Sequence, residues 1–174
     1  WGTRDRSWGV RPVGEAEPAG ISAAKGTLGA FAMWNYAPIQ FADSSILYFS
    51  GKWWLFTDAG RDGTSPQLRL YFADELLGPW AEHPASPLRD DPHLSRPAGR
   101  VVVAGGHPVR FAQDVYPVYG SSVSAFAVTK LSPTEYEEQR LTDRPILGAG
   151  DAAWNRDGMH HIDAQQHDGQ WLAC

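Results

Sequence analysis

The sequence is short of lysine, nearly without cysteine and without any long apolar run, and each shortage removes a class of function. Lysine occurs only at Lys25, Lys52 and Lys130, and no Lys/Arg cluster offsets a formal net charge of -5. A chain of this kind does not hold nucleic acid by neutralising phosphates. The one cysteine, Cys174, stands at the last position, which excludes an internal disulfide framework and a Cys-x-x-Cys zinc site. It leaves the redox compartment, and so the location, undefined. No apolar run approaches ~18 residues and no signal-peptide pattern opens the chain, so no membrane span or export signal is expected in it. There is no Gly-x-Ser-x-Gly elbow for a nucleophilic serine. Nor does a glycine loop lead into a helix to cradle phosphate, and no cofactor is expected.

What is present is the composition of one soluble globular domain with a real core, 43% hydrophobic and 20% charged. The chain is rich in tryptophan, with eight. Flat rings beside Arg, Asp, His and Gln are the groups a sugar-binding surface uses, because rings stack on pyranose faces while polar groups fix hydroxyls. The same rings also fill β-sheet cores.

Read in order, residues 1–30 are rich in Gly, Pro and Ala and mostly loop, with at most one strand near 7–10. From residue 44 the pattern becomes strand after strand: 44–49, a turn at Ser50-Gly51, KWWLFTD (52–58), LRLYFAD (68–74), and an extended piece over 80–84. The order then recurs as AGRVVVA, a Gly105-Gly106 turn, PVRFAQD, SSVSAFAVTKL and YEEQRL. Superposing the turns pairs Phe56 with Phe111 and Trp80 with Tyr136. A third copy begins with MHHIDAQQ, turns at Asp168-Gly169 and runs into QWLAC. SPTEYEEQR carries a Ser-x-x-Glu helix-capping pattern, but its repeat partner GPWAEHP cannot be helical, so strand or loop is expected there. Repeats of about 50 residues with about four antiparallel strands each are the pattern of propeller blades. The expectation is all-β: a partial five-bladed β-propeller of about two and a half blades (~42–88, ~96–147, ~158–174), with residues 1–41 as a separate, irregular, loop-rich segment. The chain opens on Trp1 and stops inside a strand-like run, which reads as a fragment of a longer reading frame.

The middle repeat holds the densest chemistry, in RPAGRVVVAGGHPVRFAQD (96–114). Glycines 99, 105 and 106 read as hairpin geometry, and Arg96 with Asp114 as either a surface ion pair or two walls of a pocket. In a propeller, equivalent positions of the inner strands face one channel. Register places Asp43, Ala98 and His161 at one level, with Arg96, Arg100, His160 and Asp163 near and Gln113 and Asp114 at the same end. Asp43 and Asp114 are therefore the candidate catalytic carboxylates, as glycoside hydrolysis requires a pair. Arg96, Arg110, Gln113, His160, His161 and Asp163 are candidate binding residues. The same set suits plain sugar or phosphate binding, with Arg96 and Arg110 as an anion clamp. Adjacent residues on a strand point to opposite faces, so His160 and His161 cannot both ligate one ion, and no metal is expected.

GKWWLFTD, LRLYFAD with GPWAEHP, SRPAGR, VRFAQD with Tyr119-Gly120, LSPTEYEE and GMHHIDAQQHDGQWLAC, in that order, resemble the N-terminal five-bladed propeller domain of the glucosamine inositolphosphorylceramide transferase family. That domain is similar in architecture to the arabinanase-like propeller glycosidases. The resemblance covers residues ~42–174 and adds Tyr119 to the candidate binding residues. It implies a carbohydrate or glycolipid headgroup as partner, in a glycosidase-like protein or in an accessory to a sugar transferase. Those glycosidases use three acids around the channel, of which Asp43 and Asp114 have counterparts here. Residues ~1–41, with Arg4-Asp5-Arg6-Ser7-Trp8-Gly9-Val10-Arg11 and Trp34, resemble the hydroxyneurosporene-synthase-like, lipocalin-related proteins.

The expected function is thus a carbohydrate-binding or carbohydrate-processing module. The alternatives are a non-enzymatic scaffold propeller and, from the N-terminal segment, a lipocalin-like carrier or a hydratase of apolar ligands with an apolar cavity at Trp8 and Trp34. Two and a half blades leave sheet edges uncovered, so the isolated chain is expected to be poorly stable. Thermal unfolding checks this, and a cooperative melt from a soluble monomer would contradict it.

Overall fold

A computed structural model of the 174-residue chain describes residues 41–60 and 65–173. The strand expected near 7–10 and the lipocalin-like segment with Trp8 and Trp34 lie outside the described residues. Within them the chain is all-β, without a helix, and no helix is long and apolar enough to cross a membrane.

The first sheet is an antiparallel meander of β1 (Ala42–Phe49), β2 (Lys52–Asp58), β3 (Gln67–Ala73) and β4 (Ala81–Glu82), with β5 (Arg89–Asp90) also pairing β3. The second repeats it with β6 (Val102–Ala104), β7 (His107–Asp114), β8 (Ser122–Leu131) and β9 (Tyr136–Arg140), with β10 (Leu147–Gly148) on the other half of β8. A hairpin of β11 (Ala164–His167) and β12 (Gln170–Ala173) follows. The repeat read from sequence carries through to pairing: Phe56 faces Leu70 and Phe111 faces Ala125. Gly105 and Gly106 have φ of 59° and 84°, the double left-handed geometry of a two-residue hairpin turn.

Two local expectations change. Gly99 is no part of the hairpin: its φ is 124°, and it forms a parallel bridge to Ile162. The MHHIDAQQ run becomes a strand only at Ala164, because the Ile162 N–H is already given to the Ala98 carbonyl at 2.9 Å. His160 and His161 therefore lie on irregular backbone between units. The Ser-x-x-Glu pattern at 132–135 closes a turn: Ser132 Oγ accepts from the Glu135 N–H at 3.0 Å before β9 starts. The same hydroxyl chemistry that caps helices also caps turns.

Strand alternation sorts the core into layers. Leu55, Tyr71, Ala73 and Trp80 cluster on one face of the first sheet. Its other face puts Trp54, Phe56, Leu68 and Leu70 against Val101 and Val128, with Tyr136 alongside. The far face of the second sheet packs Val109, Phe111, Val123 and Ala125 against Ala98, Ile162 and Ala164. The order is sheet, sheet, third unit, each covering the next.

A charged knot lies between the two sheets. Glu138 receives Arg110 at 2.5 and 2.7 Å, the Tyr136 hydroxyl at 2.6 Å, and Arg89. Arg110 lies 4.3 Å over the Phe126 ring and is 2% exposed. Burial works against the Glu138 charge, but the Arg110 bonds and charge, with Tyr136 and Arg89, outweigh it and hold the carboxyl down to about 2 from 4.5. His83 adds a further tie across the same interface. Its Nδ1 accepts from Ala85, which leaves Nε2 to donate to the Ser132 carbonyl at 2.9 Å.

Removing one partner from a buried ion pair leaves the other uncompensated, so Glu138→Leu is expected to cost about 3–5 kcal/mol of unfolding free energy in urea melts. The sign of the pH effect follows from the lowered value. The contribution of Glu138 is full above its unfolded value near 4.5 and is lost as pH falls toward about 2. Acid melts of Glu138→Gln should show a shallower decline over that window than those of the parent chain.

Candidate functional site

A cleft of about 410 Å³ opens where three chain segments meet: Asp43 to Ile46 from β1, Gly99 and Arg100 from the stretch before β6, and His161 and Asp163 from the stretch before β11. The Gly99–Ile162 contact fixes that meeting. A Cβ on Gly99 would stand 2.0 Å from the Ile162 carbonyl oxygen and 3.4 Å from His161 Cε1, so only glycine allows the two segments to lie side by side. Ser45 does the same on the other flank, its buried Oγ accepting from the Val101 N–H at 2.8 Å.

Asp43 is set apart from its strand. The register of β1 on β2 slips between Ala42 and Ser45, and within that slip Asp43 has φ of 50°. A bulge with a left-handed residue re-aims a side chain out of the sheet's alternation, and Asp tolerates that conformation better than most residues. Its Oδ2 accepts from Arg96 Nε at 2.6 Å and from Gln113 Nε2 at 3.1 Å. Gln113 also donates to the Pro97 carbonyl at 2.9 Å, so two acceptors determine which way its amide points. Its Oε1 is buried with no partner among the described residues.

Arg96 is the hub of this corner. Its Nη1 lies 3.9 Å from Asp58 Oδ2, and its guanidinium stands 5.3 Å over the Tyr119 ring. Partial burial opposes the Arg96 charge, but the Asp43 hydrogen bond and the carboxylate charges of Asp43 and Asp58 overcome this and hold it above its ordinary value. Burial raises Asp58, against the pull of the Gln67 and Gly60 N–H groups and of Arg96. Across the cleft, Arg100 donates to Asp163 Oδ1 through Nε at 3.1 Å and Nη2 at 2.6 Å. That bond and the Gln165 amide hold the Asp163 carboxyl below its usual range.

Of the residues singled out from sequence, Asp43, His161 and Asp163 line the cleft, Arg96 and Gln113 support Asp43, and Tyr119 stacks under Arg96. His160 turns away, its ring 5.5 Å from that of Tyr119. Arg110 does not join them, being spent on Glu138. Asp114 faces elsewhere because alternation along β7 puts it opposite Gln113: both its oxygens accept from His93 Nδ1 at 3.0 Å, and Oδ1 also from the Tyr116 N–H. The Arg96–Asp114 ion pair weighed from sequence is therefore replaced by Arg96–Asp43. Ala98 is buried, and Gly99 and Arg100 line the cleft in its stead. Asp58 was overlooked in sequence although a signal exists: the offset that pairs Phe56 with Phe111 also pairs Asp58 with Gln113. Among the described residues no group of three His, Cys, Asp or Glu side chains is placed to hold a metal ion.

Chemically, the cleft offers carboxylate acceptors, guanidinium donors and an imidazole, with each carboxylate already matched by an arginine. Such a lining has little net pull on an anion and suits a polyhydroxylated ligand without negative charge. Gly99→Ala is expected to part residues 99 and 162, lowering the unfolding temperature and exposing the Ile162 amide to hydrogen exchange. Unchanged exchange at Ile162 would show the contact to be dispensable.

The family model described as "Glucosamine inositolphosphorylceramide transferase 1, N-terminal" matches residues 37–174. Proteins of that name from Oryza sativa subsp. japonica and subsp. indica are each 37% identical over 142 residues, covering 75% of this chain. The chain spans 18% of the length of these relatives. Among solved structures, Zg3597, a family 117 glycoside hydrolase from Zobellia galactanivorans, aligns at a TM-score of 0.40 and 20% identity. That alignment covers 57% of this chain and 32% of the other, an overlap too small to assign the fold.

Proposed function

The chain belongs to the family of the glucosamine inositolphosphorylceramide transferase 1 N-terminal domain, and from that premise we propose that it is a carbohydrate-binding module whose cleft at Asp43 receives a sugar or glycolipid headgroup. The two repeated sheets and the hairpin would be successive blades of a five-bladed propeller, with the cleft at the channel mouth. The observation that carries this reading is Asp43 itself, a carboxylate held in a left-handed bulge and clamped through one oxygen by Arg96 and Gln113. Its Oδ1 makes no protein hydrogen bond among the described residues and is available to a sugar hydroxyl. Strain and clamping at one acidic residue over a polar cleft are what a preorganised binding site needs.

Binding is favoured over hydrolysis. Asp43 and Asp163 are both solvent-accessible and arginine-paired, whereas a general acid needs an apolar surround that keeps a carboxyl protonated. Asp114 lies in its own cluster with His93 and Tyr116, which supports a structural role for it. The sugar named in the relatives, glucosamine, is the first ligand to try.

Calorimetric or saturation-transfer titration of the chain with methyl glycosides of glucosamine, galactose and mannose tests the reading. Asp43→Asn retains a residue suited to the left-handed bulge while removing the charge. At least tenfold weaker binding is expected from it, about 1.4 kcal/mol, with Lys130→Ala unchanged. Silence across the glycosides, or affinity indifferent to Asp43→Asn, overturns the reading and favours a scaffold.

A further inference from the structure

Beside the cleft, the loop 115–120 combines two properties that rarely coincide: its backbone is tied down and its apolar side chains are exposed. Asp114 organises the tie. Its carboxylate accepts from the Tyr116 N–H at 3.0 Å, and its carbonyl accepts from the Gly120 and Ser121 N–H groups at 2.9 and 3.1 Å. The Val115 N–H reaches the Pro92 carbonyl at 3.0 Å. Tyr116 packs edge-on against His93 at 5.7 Å, and His93 in turn bonds Asp114. Yet Tyr116, Val118 and Tyr119 are 59%, 61% and 55% exposed. A loop that only needed to connect β7 to β8 would gain nothing from presenting these side chains to water.

Tyr119 is also braced toward the cleft. Arg96, which clamps Asp43, lies over its ring. His160, the neighbour of the cleft residue His161, lies against it. The brace needs Gly120, whose φ is 72° and where a Cβ would come within 2.5 Å of His160 Cβ. One side chain, Arg96, thus separates the carboxylate of the cleft from the exposed ring.

We propose that Tyr119, with Tyr116 beside it, is a second subsite that stacks on the next ring of an oligosaccharide whose first ring occupies the cleft. This rests on the carbohydrate reading above and adds to it that the ligand is a linked sugar of at least two rings. A fixed aromatic face suits a pyranose face because it offers apolar area at little ordering cost. The cleft, in contrast, supplies hydrogen-bonding groups and little apolar surface.

The test compares the methyl glycosides of glucosamine, galactose and mannose with their β-1,4-linked disaccharides, titrated against the 174-residue chain, Tyr119→Ala and Tyr119→Phe. A disaccharide is expected to bind the parent chain about three- to tenfold more tightly than its methyl glycoside. Tyr119→Ala should bring the ratio of disaccharide to methyl glycoside affinity to about one, a ratio that cancels any change it passes through Arg96 to the cleft, and Tyr119→Phe, which keeps the ring, should retain most of the advantage. Methyl glycoside binding with no gain from the second ring, or a gain that survives Tyr119→Ala, overturns the second subsite alone. Absence of binding by every glycoside removes the carbohydrate reading and the subsite together.

Discussion

The contact on which the other features depend is the approach of Gly99 to Ile162. It is a backbone contact, so it tolerates no side chain at residue 99, and it draws the stretch before β6 alongside the stretch before β11. The same alignment brings Ala98, Ile162 and Ala164 into one core with Val109, Phe111, Val123 and Ala125. It also leaves Arg100 opposite Asp163 and His161 facing β1. Without it the cleft would lose one wall, because His161 and Asp163 lie on irregular backbone with no ladder of their own to hold them.

The two larger sheets are joined by different physics. Apolar burial from Trp54, Phe56, Leu68, Leu70, Val101 and Val128 supplies the attraction, which is non-directional. Direction comes from polar ties across the same interface: Arg89 to Glu138, whose charge Arg110 of its own sheet also balances, His83 to the Ser132 carbonyl, and Ser45 to the Val101 N–H. A buried charge pair is a poor source of net stability but leaves few alternative alignments, since any slip strands a charge. The relative placement of β1 and the 96–101 stretch, on which the Asp43–Arg96 pair depends, is set in this way.

Arg96 shows how the polar corner is divided. It faces two carboxylates, Asp43 and Asp58, and an aromatic ring. Asp58 is buried and partly neutralised by two backbone N–H groups, so it acts as a backstop, while Asp43 is the oxygen-bearing group left at the cleft. Gln113 completes the support with an amide whose orientation is dictated by Asp43 and the Pro97 carbonyl. The acid presented to solvent is thus held by two residues, Arg96 and Gln113, each of which has a further acceptor of its own.

Much of this architecture was legible in the sequence. Strand identity came from β-branched and aromatic runs, the hairpin from Gly105-Gly106, and the repeat from the spacing that pairs Phe56 with Phe111. All of these are local or periodic signals, expressed by backbone preferences that act within a few residues. The same register placed Asp43, His161 and Asp163 near one another, because Asp43 and His161 stand at the same count back from their hairpin turns, although only Asp43 lies on a strand. What only the tertiary structure decided was the pairing of charges and the role of Gly99. Arg96 goes to Asp43 and not Asp114 because side-chain partners depend on which faces meet between separate parts of the chain. Arg110 goes to Glu138, two strands away in its own sheet, and not to a ligand because the first sheet covers that face. Electrostatic attraction is specific only after packing has chosen the neighbours, and that choice is made by surfaces distant in the chain.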